Sequence, residues 1–296
     1  MSTCNVCFRH CEIREGETGF CGARSCKEGK TFPVSYGRIS SIALDPIEKK
    51  PLARFCPGSM VLSVGSFGCN LRCPFCQNYE ISWSDEAAGY LRAFAAPGGD
   101  DSRAETISPA RLALLAKQYE DRGNIGVAFT YNEPLVAYEF VRDTAKLVHE
   151  NGMKNVLVSN GTADLGVLDQ IAPYIDAMNI DLKGFTDRFY EKVIGGSRRM
   201  VMDFIENAVK YCHVELTCLI IPGENDSEDE IRKMSQWIAG LKGSGGQTVG
   251  TDIPLHVSRF FPRFRMTDRL ATDVEKVYRL AQIARENLKY VYTGNC

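Results

Sequence analysis

Three cysteines stand at C-x3-C-x2-C spacing in Gly68-Cys69-Asn70-Leu71-Arg72-Cys73-Pro74-Phe75-Cys76, with an aromatic residue just before the last. Three neighbouring thiolates fall one short of the four that a four-iron cluster takes. A [4Fe-4S] cluster held by Cys69, Cys73 and Cys76 would keep one iron open. An open coordination position is what separates a reactive metal site from a structural one. Two plainer readings use the same residues: a zinc knuckle built on two of the cysteines, or buried thiols grouped by chance. The spacing and the place of Phe75 favour the cluster.

A second group, Cys4, Cys7, Cys11 and Cys21, gives four soft ligands within eighteen residues, with Gly16, Gly19 and Gly22 between and beside them permitting tight turns. The segment has almost no apolar residues of its own to pack, so a metal would supply its folding energy. Tetrahedral zinc is the leading reading. A second iron–sulfur cluster relaying electrons to the first is the alternative, although the spacing departs from the repeated C-x2-C of bacterial ferredoxins. A reduced, metal-free group is the third reading. His10 and Cys26 are spare ligands. Cys218 lies in an apolar run and reads as a small core residue.

The elements that must position these residues follow from the apolar pattern. Residues 1–31 read as a Cys-rich metal-binding module and 32–58 as a connector, with a hairpin around Gly37 within Pro33–Leu44. From residue 59 to 296, short apolar runs alternate with helical patterns. Met60–Val64, Gly126–Thr130, Asn155–Ser159, Ala177–Leu182, Val214–Ile221 and Leu255–Phe260 read as buried parallel strands. Ser108-Pro109, Asn225-Asp226-Ser227 and Thr272-Asp273 read as helix starts. The expectation is an α/β fold, a partial (β/α)6 TIM-like barrel with its site at the carboxyl ends of the strands. Ala95–Glu105 and the Gly-rich Gly240–Gly250 read as an insertion and a linker; the latter lacks the Gly-Lys-Ser/Thr ending of a phosphate loop.

The expected strands end in polar or unusual residues: Asn132 and Glu133 after the second, Ser159 and Asn160 at the third, Asp181 and Lys183 at the fourth. Ile221 closes the fifth, and the sixth carries His256 and Arg259. Singly, each has an ordinary explanation: an acid in a first helical turn, an exposed ion pair, a core histidine. Jointly they ring one end of the barrel.

The cysteine motif resembles that of the radical S-adenosylmethionine (SAM) enzymes. That resemblance implies that SAM chelates the open iron through its amino and carboxylate groups. The reduced cluster then cleaves SAM, and a 5′-deoxyadenosyl radical abstracts hydrogen from a substrate. On this reading Glu133 suits the ammonium of SAM and Lys183 its carboxylate. Ser159, Asn160 and Asp181 suit the ribose or methionine portion, and Phe75 and Ile221 pack on adenine. Residues 59–293 are similar to the activating enzymes of glycyl-radical enzymes, of the pyruvate formate-lyase activase type. Asp181-Leu182-Lys183 and Pro222-Gly223 match that type, while Asn132-Glu133 replaces its usual Gly-Gly-Glu. More narrowly, the N-terminal cysteines, Asp45-Pro46-Ile47-Glu48-Lys49-Lys50-Pro51-Leu52 and Tyr131-Asn132-Glu133-Pro134-Leu135 resemble the AmmeMemoRadiSam system enzymes. Arg259-Phe260-Phe261-Pro262 departs from that group's Arg-Phe-His-Pro.

The resemblance implies a ferredoxin or flavodoxin as one-electron reductant. It also implies a protein substrate bearing the target glycine, or AMMECR- and Memo-type partners. Radical modification of a small molecule or cofactor precursor is the alternative, and an electron carrier without SAM turnover is the third reading. The carrier has no use for Glu133, Asp181 or Lys183. Formal charge is 35 − 37 = −2, which gives nucleic acid no support as a partner. Arg259, Arg263 and Arg265 suit an acidic partner or a solvated basic loop equally. Met1–Cys7 has no basic stretch followed by an apolar run, and no apolar run is long enough to span a bilayer, so a cytoplasmic location is expected.

Overall fold

The computed structural model describes residues 1–95 and 106–296, and the expected insertion Ala95–Glu105 lies, beyond Ala95, outside the described residues. One sheet carries eight strands in chain order: β1 (Ser41–Pro46), β2 (Met60–Gly65), β3 (Asn124–Phe129), β4 (Lys154–Ser159), β5 (Ala177–Asp181), β6 (His213–Ile220), β7 (Leu255–Arg259) and β8 (Val291–Gly294). β1 pairs antiparallel with β2, and every later neighbour pairs in parallel. Among the described residues nothing joins β8 to β1, so the α/β barrel is partial.

All six expected strands form, within a residue or two of their expected ends. The sheet gains two strands beyond those six. β8 is four residues of mixed character, and only its pairing with β7 makes it a strand. β1 belongs to the region assigned to a hairpin around Gly37, and there the structure differs. Lys30–Pro33 pairs back onto Arg24–Lys27, while Ser41–Pro46 joins the main sheet. Gly37 instead turns the chain at φ 69°, its carbonyl accepting Ile107 N–H at 2.8 Å. A tertiary partner more than sixty residues away thus overrode the local hairpin signal.

Parallel crossovers need helices, and the sequence supplies amphipathic ones. They are α1 (Asp85–Ala95), α2 (Pro109–Gln118), α3 (Tyr138–Glu150), α4 (Leu165–Ile171), α5 (Arg198–Ala208), α6 (Glu228–Ala239) and α7 (Val274–Arg285). α3 buries Phe140, Val141, Thr144, Ala145 and Val148, and α6 buries Ile231, Met234, Ser235 and Ile238, each at helical spacing. The expected starts hold in detail. Ser108 caps α2 by accepting Arg111 N–H, Ser227 caps α6 through Glu230 N–H, and Asp273 caps α7 through Glu275 and Lys276 N–H.

The amino-terminal end of the barrel is closed by Pro51–Arg54. Glu215 of β6, with a side chain fully shielded from solvent, accepts the backbone N–H groups of Ala53 and Arg54 at 2.9 and 2.8 Å. Asn179 donates to Pro51 O at 2.8 Å. The N-terminal segment packs on the opposite side of the cysteine loop. Cys7 bridges to Ala163, Asp164 N–H donates to Val6 O, and buried Arg24 grips Glu139 through two 2.9 Å hydrogen bonds.

Candidate active site

Gly68 opens the cysteine loop at φ 91°, and a Cβ there would lie 2.7 Å from both Cys21 O and Ala23 Cβ. Glycine is therefore what lets the loop sit against the N-terminal segment. The loop is held from the other side by Asn132, whose side chain accepts Ser66 N–H at 3.0 Å and donates to Gly68 O at 3.0 Å. Arg72 returns to the loop's own Cys69 and Leu71 carbonyls at 2.8 and 2.9 Å.

These contacts set Cys69, Cys73 and Cys76 on the wall of one cavity of ≈ 450 Å³. The same cavity is lined by Phe75, Asn132, Glu133, Ser159, Asn160, Asp181 and Lys183, so strand ends β3, β4 and β5 converge on the cysteines. Glu133 is the most constrained of them. Its Oε1 accepts Ser159 Oγ at 2.8 Å and Leu135 N–H at 3.1 Å, and its Oε2 accepts Asn160 N–H at 2.7 Å. A carboxylate offers about four acceptor sites, so one remains on Oε2. Burial pushes its carboxyl up to about 7 against the pull of those three donors. Lys183 Nζ donates to Asp181 Oδ2 at 2.7 Å. Burial would lower Lys183, but Asp181 and the nearby cysteines hold it above its ordinary value.

Two expected residues stand elsewhere. Ile221 is fully buried and does not line the cavity; Leu219 does. β6 ends at Ile220, and the turn in which Asn225 Oδ1 accepts Ile221 N–H at 2.7 Å draws Ile221 out of the strand's alternation. His256 also lies off the cavity lining, its Nε2 2.7 Å from Glu215 Oε2 and its ring stacked on Tyr292. It belongs to the closure at the amino end of the barrel.

The model of the radical SAM superfamily matches residues 63–235, more than half of the chain. The chain belongs to the radical SAM superfamily. It is 38% identical over 294 residues to an uncharacterized protein of Methanocaldococcus jannaschii, covering 99% of this chain and 80% of that one. It is 27% identical over 227 residues to the pyruvate formate-lyase-activating enzyme of Clostridium pasteurianum, covering 75% of this chain and 89% of that enzyme. Among solved structures, Streptococcus suis SuiB bound to precursor peptide SuiA superposes with a TM-score of 0.56 at 13% identity, over 77% of this chain and 47% of that one. This last likeness concerns the fold alone.

A radical SAM enzyme uses a [4Fe-4S] cluster and SAM, and the residues present fit both. Among the described residues no three His, Cys, Asp or Glu side chains converge closely enough for one metal ion. Three thiols spread over a common cavity wall suit a cluster, in which each thiolate holds a different iron. Burial pushes the Cys73 thiol up to about 12 and Cys69 well above its ordinary value, so cluster assembly must displace their protons. Two features of the cavity carried no role in the sequence. Lys49 and Lys50 line it, as does Tyr131, whose φ of 73° is uncommon for a residue with a side chain. The signal available was a Lys-Lys pair directly after Asp-Pro-Ile-Glu, next to apolar sequence.

Cys4, Cys7, Cys11 and Cys21 surround a second, enclosed void of only ≈ 10 Å³, together with Arg9, Arg24 and Asn70. Arg24 Nε is buried without a hydrogen-bond partner. Asn70, next in the chain to Cys69, lines this void with Cys7, so the two cysteine groups lie back to back.

Proposed function

We propose that this radical SAM enzyme removes a hydrogen atom from a glycine of a partner protein, leaving a glycyl radical. The observation that carries the reading is the similarity to the Clostridium pasteurianum activating enzyme, which extends over 89% of that enzyme's length. A bound, reduced [4Fe-4S] cluster would supply the one electron that SAM cleavage takes. Cys69, Cys73 and Cys76 would hold it. Glu133 would take the ammonium of SAM through its remaining acceptor site, with Ser159 and Asn160 fixing the carboxylate's direction. Lys183 would meet the SAM carboxylate, and Asp181, its ion-pair partner, the ribose. Phe75, which faces Phe189 at 6.5 Å, would pack on adenine with Leu219 in the place expected for Ile221. Asn132, on the same wall, would hold the cysteine loop in place.

A reducing, cytoplasmic setting, a ferredoxin or flavodoxin donor, and association with AMMECR- or Memo-type proteins complete this reading. We infer further that the N-terminal quartet holds a metal. A water-sized void supports a single zinc ion over a second four-iron cluster, with the four sulfurs closing in on binding. Arg24 Nε–H would then have a thiolate to donate to. Metal analysis of the Cys69/Cys73/Cys76→Ala variant tests this: about one zinc and no iron is expected, and iron with sulfide would overturn it.

A second reading, radical chemistry on a small molecule, is favoured by the size of the cavity and the lysines on its wall. The two are separated by growing candidate partner proteins on Cα-deuterated glycine. Deuterium in the released 5′-deoxyadenosine, with a protein-based radical by electron paramagnetic resonance, supports glycyl activation. Its absence with every candidate, alongside turnover of a small acid, supports the second reading.

A further inference from the structure

Lys50 is 2% exposed, an unusual place for an ammonium group, and it lines the same cavity as the cysteines. Its Nζ donates to Asp45 Oδ2 at 3.0 Å. Asp45 serves two other donors as well: Lys49 Nζ on Oδ1 at 3.1 Å and Tyr131 Oη on Oδ2 at 2.8 Å. Two ammonium groups thus share one carboxylate, which leaves a surplus positive charge at the cavity wall. An ammonium has three N–H donors, and Asp45 takes one from Lys50. The Lys50 ammonium also stands 4.7 Å from the Tyr131 ring centre. Tyr131 in turn is held in the left-handed region at φ 73°, with its carbonyl accepting Asn78 Nδ2–H at 2.7 Å. Such strain persists where surrounding contacts over-determine it, and it concentrates at sites that bind ligands.

SAM does not require this charge. Its ammonium and carboxylate are matched to Glu133 and Lys183, and its adenine is neutral. A buried cation with an incomplete set of partners favours an anion that can complete it.

We propose that Lys50, with Lys49 and Tyr131, binds a carboxylate carried by the substrate. This rests on the reading of the neighbouring wall as the SAM site. It narrows the substrate to a molecule with an anionic group within reach of the carbon that loses hydrogen. The group is either that of a free small acid or that of an acidic residue beside a target glycine. Lys50 and Tyr131 would orient the substrate, and the Asp45 carboxylate would hold both donors in place. Hydrogen bonds from Tyr131, Lys50 and Lys49 hold the Asp45 carboxyl far below the usual carboxylate range, although burial alone would raise it, so that anchor stays ionised.

The test uses the anaerobically reconstituted protein with SAM bound, titrated with succinate and separately with acetyl-glycyl-aspartate amide, followed by calorimetry. Saturable binding of at least one probe is expected, about tenfold or more weaker in Lys50→Met and regained in Lys50→Arg. SAM affinity is expected to be equal in all three proteins. Succinate alone binding points to a free acid, and the peptide alone to an acidic residue next to glycine. The proposal is overturned if neither probe saturates, if Lys50→Met binds them as wild type does, or if SAM affinity falls in that variant. The last result would place Lys50 in the SAM site. Failure of wild type to bind SAM at all is a different outcome, and it would remove the underlying reading instead. Should Lys50→Met not fold, Lys49→Met, with a side chain 66% exposed in the native protein, must weaken the same probe.

Discussion

Glu133 Oε2 accepts the backbone N–H of Asn160 at 2.7 Å, fastening the end of β3 to the end of β4 on the cavity wall. The carboxylate is thereby aimed before any ligand arrives. A Glu133→Gln variant keeps the shape and removes the charge. SAM affinity should fall by about tenfold to a hundredfold, the worth of a hydrogen bond to a charged group. Iron content should not change. Equilibrium binding with parallel iron analysis checks this, and unchanged affinity would detach Glu133 from SAM.

Gly68→Ala places a Cβ against Cys21 O in a backbone conformation that alanine tolerates poorly. Loss of about 1–3 kcal/mol is expected, seen as a lower urea midpoint, together with poorer iron retention. A midpoint equal to wild type would mean that the loop does not need its close approach to the N-terminal segment.

Asn132→Gly would bring back the glycine common among activating enzymes but release the clamp on Ser66 and Gly68. Each hydrogen bond is worth about 1 kcal/mol. The variant should therefore assemble its cluster less completely at limiting iron, with SAM affinity per assembled cluster retained. Full iron loading would show that the loop holds its shape without Asn132.

The amino end of the barrel predicts an acid dependence. Burial alone would raise Glu215, but hydrogen bonds from His213, His256, Ala53 N–H and Arg54 N–H bring its carboxyl down to about 2 from an ordinary 4.5. The folded state therefore holds this proton less tightly than the unfolded state. The stabilisation, about 3 kcal/mol, is fully present above the unfolded value and is lost as pH falls from 4.5 toward 2. Urea midpoints measured at about pH 5 and about pH 3 should converge between wild type and Glu215→Gln. A gap that stays constant across that window would contradict the assignment.

Residues whose roles are local were legible in the sequence; residues whose roles arise from packing were not. The strands β2 to β7 announce themselves because both faces are covered, which makes each an apolar run. Ser108, Ser227 and Asp273 are readable as caps because capping spans three residues. Cys69, Cys73 and Cys76, and the strand-end Glu133, Asp181 and Lys183, converge as expected because parallel strands deliver their carboxyl ends to one side. The extended run of β1 was legible but its partner β2 was not, and β8 becomes a strand only through its pairing with β7. Ile221 was misplaced because period-two alternation stops where the strand does, one residue earlier. His256 reads as a cavity residue until its partner Glu215, forty-one positions away, is seen. In the Asp45–Lys50–Tyr131 cluster Asp45 and Lys50 are near neighbours in the chain, but Tyr131 is eighty-six residues from Asp45, and that meeting is not readable from the sequence.

5′-Deoxyadenosine formation tests the radical SAM reaction of this protein most directly. The protein is reconstituted with iron and sulfide without oxygen, then given SAM and dithionite, with Cys73→Ala as control. Wild type is expected to form 5′-deoxyadenosine and the variant none. A wild-type protein that holds its cluster, binds SAM and still forms none, with or without candidate substrates, would contradict this expectation.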